Sequence, residues 1–362
     1  MLLLIIGLIL FVGLVVIHEF GHFIMARRNG VVVEEFGIGF PPKVWSRKTK
    51  GGWLFSINLL PLGGFVRMKG ETDSDTEEGT FGAASLAAKT KIMAAGVVMN
   101  LITAIIMLTG LAWLGMPQLI PNQFTVKSDT KVIQQQVLAG RVDKDSPASK
   151  AGLQSSDQII SIGAPGKETP IKTEADLPKV TKQLAGQKVA MTYVQDGQTK
   201  RGTAQLLSEQ QVAASKKTDN PKGYLGVVPT EYSLQRSTWS APLVALGLTK
   251  QFTILTFQGL GKALTGVGSI IAGAVTGNSD ARREGQTKAS EQVSGPVGIF
   301  AVLKNGSFLG YQFMLLVIAI ISLTLAIMNF LPIPALDGGR LWLTLATRGL
   351  GYPISQEKEE LI

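Results

Sequence analysis

The first 17 residues carry no charge and are almost wholly apolar, and helix-permissive sequence continues through Phe23, Ile24, Met25 and Ala26 before Arg27 and Arg28 close the run. At about 1.5 Å per residue such a helix crosses a hydrocarbon core of about 30 Å. A chain that opens this way is committed to lipid as solvent, where backbone polar groups must be satisfied inside the segment itself. A cleaved signal peptide would instead open on basic residues and end at a small-residue cleavage site. Neither is present.

The rest of the composition fits a protein that is part membrane and part soluble: 362 residues, 45% apolar, with a formal charge of +9. Basic residues are spread out, without the aromatic-interleaved pattern of a nucleic-acid binder, and flanking charges of membrane spans account for the excess. No nucleic-acid partner is therefore expected. There is no cysteine, which excludes thiol catalysis, disulfides and cysteine-ligated zinc. Only two histidines occur, and both fall within five residues.

Residues 27–91 are rich in Gly, Pro and basic side chains, so by the positive-inside rule this stretch faces the cytoplasm and the N-terminus lies outside. Within it, residues 52–69 alternate Trp53, Phe55 and Ile57 against their neighbours and turn at Pro61, Gly63 and Gly64, which predicts a β-hairpin loop too apolar to be purely aqueous. Residues 71–80 are acidic and predict a solvated loop. A second span covers about 92–115. From 118 to 235 the character changes to a soluble α+β mixture. Residues 242–275 are apolar but broken by Lys250, Lys262 and glycines, a polar linker follows over 276–292, another apolar run covers 308–331, and a charged tail closes the chain over 356–362.

His18-Glu19-Phe20-Gly21-His22 is an H-E-x-x-H motif. On a helix the i, i+4 spacing puts both imidazoles on one face to bind a single zinc ion, with Glu19 beside the metal-bound water as general base. Seventeen preceding residues amount to about 25 Å of helix, so the metal would lie within the membrane toward the cytoplasmic side. A catalytic zinc needs a third protein ligand. Glu34 and Glu35 are near in sequence but follow Gly30, which is expected to end the helix. Asp337, after a distant apolar run, is the better candidate, its alternative being an N-cap for the helix that follows.

Three features carry a family resemblance: HEFGH at 18–22, an insert whose Val142–Ala148, Ala151-Gly152-Leu153, Asp157–Ile160 and Gly223–Val227 stretches resemble a PDZ domain, and Asn329-x-x-Pro332-x-Pro334-x-Leu336-Asp337-Gly338. The chain resembles the site-2 protease family of intramembrane zinc metalloproteases, of the regulator of sigma-E protease type. Further matches are Ala95-Gly96 with Asn100, Gly261 to Gly266, and Ser294-Gly295-Pro296-Val297-Gly298-Ile299. Gly96 is followed by Val97 where relatives often have proline.

The resemblance implies Zn²⁺ held by His18, His22 and Asp337, Glu19 activating water, and Asn329 supporting substrate or ligand geometry. It makes residues 52–69 a membrane-reentrant loop that presents a strand edge to an unwound substrate. It implies regulated intramembrane proteolysis of single-pass membrane proteins, such as anti-sigma factors or remnant signal peptides, in a bacterial plasma membrane. Relatives carry one further helix after the Asp337 region, so the chain is expected to stop before a last span.

The expected fold class is a multi-pass α-helical membrane protein with an inserted α+β PDZ-like domain and a membrane-associated β-hairpin. Its expected parts are a first membrane part (1–117), an extracytoplasmic PDZ-like insert (118–235), an interfacial region and linker (236–307) and a second membrane part (308–362). The partners are transmembrane substrates and lipid, and oligomeric state is left open. Two other classes compete: a membrane scaffold with a structural zinc, which has no use for Glu19 beside the ligands, and a transporter, whose inverted repeats are not evident.

Overall fold

The computed structural model describes residues 2–71, 75–216, 221–292, 296–306 and 309–349. Helix α1 (Leu2–Arg28) ends where the glycine predicts. Gly30 takes φ +80°, Gly30 N–H donates to Arg27 O and Val31 N–H to Ala26 O, the paired bonds of a left-handed helix stop. The chain then enters strands β1 (Val33–Lys48) and β2 (Leu54–Met68).

The hairpin is therefore larger than residues 52–69, because 33–48 is strand as well. Residues 35–38 lie between two partners, 64–67 on one side and 54–57 on the other, Val33 pairs with Met68 alone, and 43–48 pairs with 54–58. Pro41 and Pro42 cannot donate to a ladder and divide β1 into its two pairing halves. Glu34 and Glu35 belong to this sheet, with Glu35 buried against Lys43 (2.8 Å) and Arg67 (2.9 Å) and Glu34 bound to Arg67 (3.1 Å).

The hairpin runs back along α1. Its 49–53 turn sits at Arg27, whose Nη2 lies 3.4 Å from where a Gly51 Cβ would be, and Gly63 abuts Val15. Twelve residues of helix separate those levels, about 18 Å. Phe40, Leu59, Leu60 and Leu62 are exposed toward the far end, which fits a loop that dips into hydrocarbon. Residues 71–80 are not wholly solvated, since Thr80 is buried and the Glu71 carbonyl accepts from Arg340 (2.7 Å).

Helix α2 (Leu86–Leu114) starts six residues before the predicted span, where the Ser85 hydroxyl accepts the Ala88 N–H. Hydropathy marks the lipid-crossing stretch, whereas helical bonding continues through Lys89 and Lys91. Gly21 of α1 packs so closely on α2 that a Cβ there would stand 2.6 Å from Ala95 O.

Residues 112–240 form a second compact unit. Its sheet contains β3 (Met116–Pro117), β4 (Lys131–Val142), β5 (Gln158–Ala164), β6 (Lys167–Pro170), β7 (Lys188–Gln195), β8 (Gln198–Gln205) and β9 (Val227–Arg236), ordered β3-β9-β4-β5-β7-β8 with β6 on β5. Short helices α3 (Pro147–Lys150), α4 (Asp176–Gln183) and α5 (Glu209–Ser215) complete it. Its core is Val137, Ile159, Ile162, Leu177, Val189, Met191, Leu206 and their neighbours. The strand expected over 223–227 begins only at Val227, because Gly226 takes φ +74° against Ser146, where a Cβ would meet another at 2.3 Å.

Asp129 ties the end of this unit by accepting from the backbone and hydroxyls of Thr238 and Ser240. Desolvation pushes its carboxyl up, but the bonds from Ser240 and Thr238 outweigh that and hold it well below the usual carboxylate range. A depressed folded pKa means stability present above the unfolded value and lost as pH falls through the folded one. Asp129→Asn is expected to speed hydrogen exchange at Thr238 and Ser240, by an amount that is constant near neutrality and shrinks below about pH 4. An unchanged exchange rate at neutral pH would refute the tie.

Helix α6 (Ala241–Thr276) is continuous despite its glycines, about 54 Å long. The expected linker over 276–292 is instead largely helix α7 (Ser279–Gln292), turned back through Gly277 (φ +71°). Small residues permit this return: a Cβ on Gly285 would lie 2.5 Å from Gly266 O. Helices α8 (Pro296–Gly306), α9 (Tyr311–Met328) and α10 (Asp337–Gly349) follow. The tail over 356–362, and Ser294 and Gly295 of the motif ending at Ile299, lie outside the described residues.

Helix α9 runs parallel to α1. Met314 near its start packs on Gly7, within a cluster of Leu4, Leu14, Leu303, Val317 and Ile318, while the segment beyond its end reaches His18 and His22. Among the described residues α1, α2, α6 and α9 are long and apolar enough to cross a membrane. The architecture is that of a membrane protein with an inserted β-sheet domain.

Candidate metal centre

His18 and His22 lie one turn apart on α1, both 7% exposed. His22 Nδ1–H donates to the Ile92 carbonyl of α2 (2.8 Å), which leaves Nε2 with a free lone pair. His18 Nδ1 faces the Asn100 carboxamide at 3.2 Å. The two Nε2 atoms are 3.2 Å apart, and Asp337 Oδ2 stands 2.7 Å from one and 3.1 Å from the other. Two ligands bound at about 2.0–2.1 Å with tetrahedral angles stand roughly 3.3 Å apart, so this donor set has close to the spacing that zinc demands.

Two further observations fit a metal here. A Cβ on Gly96 would lie 2.5 Å from both Nε2 atoms, so α2 leaves open the space that the two imidazoles face. The buried Asn100 Oδ1 has no partner when the amide nitrogen faces His18. Metal on Nε2 requires the hydrogen on Nδ1, and turning the amide brings Oδ1 to accept it. That rotation makes Oδ1 and the His18 Nδ1–H partners of one another. Asn100 is itself anchored, since Ser322 Oγ–H of α9 donates to its main-chain carbonyl (2.8 Å).

Asp337 reaches the histidines through a tight turn after α9. Ala335 takes φ +67°, and Cβ atoms on Gly338 and Gly339 would meet Leu331 O at 2.2 Å and Ile333 O at 2.3 Å. Only glycine admits that approach. Asp337 is the first residue of α10, one beyond the N-cap position that the alternative gave it, and its carboxylate is turned to the imidazoles.

Glu19 shares with His22 and Asp337 a cavity of about 100 Å³, lined also by Val66, Met68, Glu71, Phe81, Ile92, Met93 and Arg340. The Val66 N–H of β2 bonds to the Glu19 carboxylate. That hydrogen bond identifies residues 64–68 as the sheet edge beside the site. Arg340, one turn beyond Asp337, is held by the Glu71 carbonyl and lies over the Phe81 ring (5.6 Å).

The structure thus brings His18, Glu19, His22 and Asp337 together. Asn329 is the half-buried C-cap of α9, its N–H donating to Leu325 O, and its side chain makes no hydrogen bond to His18, His22 or Asp337 among the described residues. Sequence reasoning assigned no role to Ile92, Gly96 and Asn100, whose four-residue spacing puts them on one face of α2, or to Arg340. A polar Asn100 within an apolar helix was the available signal.

A membrane-embedded helical unit with two histidines of one helix, a converging carboxylate and a glutamate in the same cavity defines the class as zinc metalloprotease. The chain belongs to peptidase family M50, the site-2 proteases, whose profile matches residues 6–362. It is similar to the putative zinc metalloprotease of Clostridium perfringens, 28% identical over 343 residues, which is 94% of this chain and 86% of the relative. The zinc metalloprotease RasP of Shouchella clausii is 27% identical and the probable protease eep of Enterococcus faecalis 25%, each covering 98% of this chain and 92% of the relative. The Clostridium perfringens and Shouchella clausii relatives are named zinc metalloproteases, and zinc is the metal of family M50.

Proposed function

We propose that this protein hydrolyses peptide bonds of single-pass membrane proteins within the bilayer, with His18, His22 and Asp337 holding zinc and Glu19 as general base. The observation that carries the reading is the meeting of Asp337 with both Nε2 atoms across 319 and 315 residues, beside the cavity that Glu19 lines. Bound zinc would supply a Lewis acid and a water acidified to about pKa 7.

The chain's own residues do the rest. Ile92 and Asn100 hold the two rings in the tautomer that frees Nε2, and Glu19 takes the water's proton and returns it to the leaving amine. Asn329, not bonded to the ligands, is assigned to orienting substrate after α9. The sheet edge at 64–68 is suited to accept an extended segment, which matters because a helical peptide bond is shielded by its own hydrogen bonds and must be opened first.

In this reading α1 runs from outside to cytoplasm and α9 parallels it, so Asp337 arrives at the depth of His18 and His22. The unit over 112–240 is then extracytoplasmic and acts as a PDZ-like size filter or recognition element, and α6 with α7 lies along the outer interface. Anti-sigma factors and remnant signal peptides are the proposed substrate classes, and the bacterial plasma membrane is the proposed location.

Incubating the purified chain in detergent micelles with model transmembrane peptides is the direct test. Cleavage is expected, abolished by a zinc chelator and restored by added zinc. Cleavage that ignores the chelator would overturn the reading.

A further inference from the structure

The edge of the β1–β2 sheet away from Glu19 is residues 43–48, and it changes character along its length. One end carries exposed Val44 and Trp45, with Ile57 opposite Trp45 also exposed. The other end, with the turn that follows, gathers Arg47, Lys48, Thr49 and Lys50 around Trp45, Trp53 and Phe55 in a recess of about 500 Å³. The aromatic walls are packed against one another, Trp45 and Trp53 each on Phe55 and Trp53 on Phe23.

The hairpin's other cations are already neutralised, Lys43 by Glu35 and Arg67 by Glu34 and Glu35. Arg47, Lys48 and Lys50 pair with no acid among the described residues. The recess also lies at the level of Arg27, where α1 leaves its apolar run, and about 18 Å along that helix from the leucine-rich end of the hairpin. A site with cations and indoles at the interface and an apolar strand leading into hydrocarbon matches an amphiphilic anion.

We propose that this recess binds the phosphate headgroup of an anionic phospholipid, whose acyl chains lie along Val44, Trp45 and Ile57. The lipid holds the outer edge of the sheet at a fixed depth, and through the sheet it sets the depth of the opposite edge beside Glu19. The inference rests on the membrane placement of the hairpin in the proposed function. Its test reads lipid retention without turnover, so that the two can fail separately.

The full chain, released from micelles doped with equal phosphatidylglycerol and phosphatidylcholine, is read by native mass spectrometry for retained lipid. Wild type is expected to prefer phosphatidylglycerol. Each basic side chain near the surface favours an anionic lipid by about fivefold at most, so Arg47→Gln with Lys48→Gln and Lys50→Gln is expected to cut retention roughly tenfold or more. Trp45→Ala, with the cations intact, is expected to weaken it as well.

Zinc content of each variant reports whether the membrane unit is folded. Should the triple variant lose zinc, Lys48→Gln alone is read, with a loss of up to about fivefold expected. Equal retention of the two lipids by wild type, or unchanged retention in the folded charge variants, would overturn the proposal. Displacement of the lipid by millimolar inorganic phosphate, or unchanged retention in Trp45→Ala, would also overturn it by showing a bare anion site.

Discussion

Gly96→Ala should leave the helices folded and deprive the site of its metal. Alanine is a better helix former than glycine, so α2 itself loses nothing by the change. The added carbon would stand 2.5 Å from Nε2 of both His18 and His22, well inside contact distance, and both rings are pinned at Nδ1, one by Ile92 O and the other by Asn100. The rings cannot swing aside without breaking those bonds. Losing a single orienting bond around a zinc ligand typically costs 10–100-fold in affinity, so displacing two ligands is expected to cost at least about 100-fold. Zinc per protein after dialysis against a buffered metal, alongside the circular dichroism of the purified chain, decides the matter. Full zinc occupancy in a folded variant would remove Gly96 from the site.

Glu19→Gln should give the opposite pattern, a protein that keeps its zinc and does not turn over. The amide has nearly the size of the carboxylate, and its oxygen can still accept the Val66 N–H, so neither α1 nor the sheet edge is disturbed. What disappears is a group able to take a proton. General-base contributions are typically 10²–10⁴-fold, and a fall of about that size in cleavage of a transmembrane peptide is expected with metal content unchanged. Cleavage within about tenfold of wild type would assign the proton to another group. Arg340 is no substitute, since a guanidinium stays protonated.

Much of the membrane unit was legible because lipid imposes a simple grammar. Long uncharged runs gave α1, α2 and α9, and the only two histidines fell at helical spacing in the first of them. Strand β1 was hidden because 33–48 mixes Gly, Pro and charged residues that read as loop. Its acids, Glu34 and Glu35, sit in a sheet through pairings to Arg67 and Lys43 that no local pattern displays.

Helix α7 was mistaken for a linker on polarity alone. Its residues over 279–292 are mostly good helix formers, and Asn278 Oδ1 accepts the N–H groups of Asp280 and Ala281, a start signal that was available in the sequence. The candidate site divides the same way. His18, Glu19 and His22 could be read locally, Asp337 only as a carboxylate closing a distant apolar run, and the requirement for glycine at 96 exists only once α2 lies across α1.

The parallel course of α1 and α9 also sets a clock on biosynthesis. His18 enters the membrane near the start of translation, and its partner Asp337 is 319 residues behind. At about 5–20 residues per second the ribosome needs on the order of 15–60 s to supply it. During that interval α1 carries two imidazoles and Glu19 without the carboxylate proposed as the third ligand. With the proposed ligand set, a nascent chain cannot cleave the transmembrane segments that emerge around it, and competence arrives only when α9 has been threaded and the turn at Asp337 has closed.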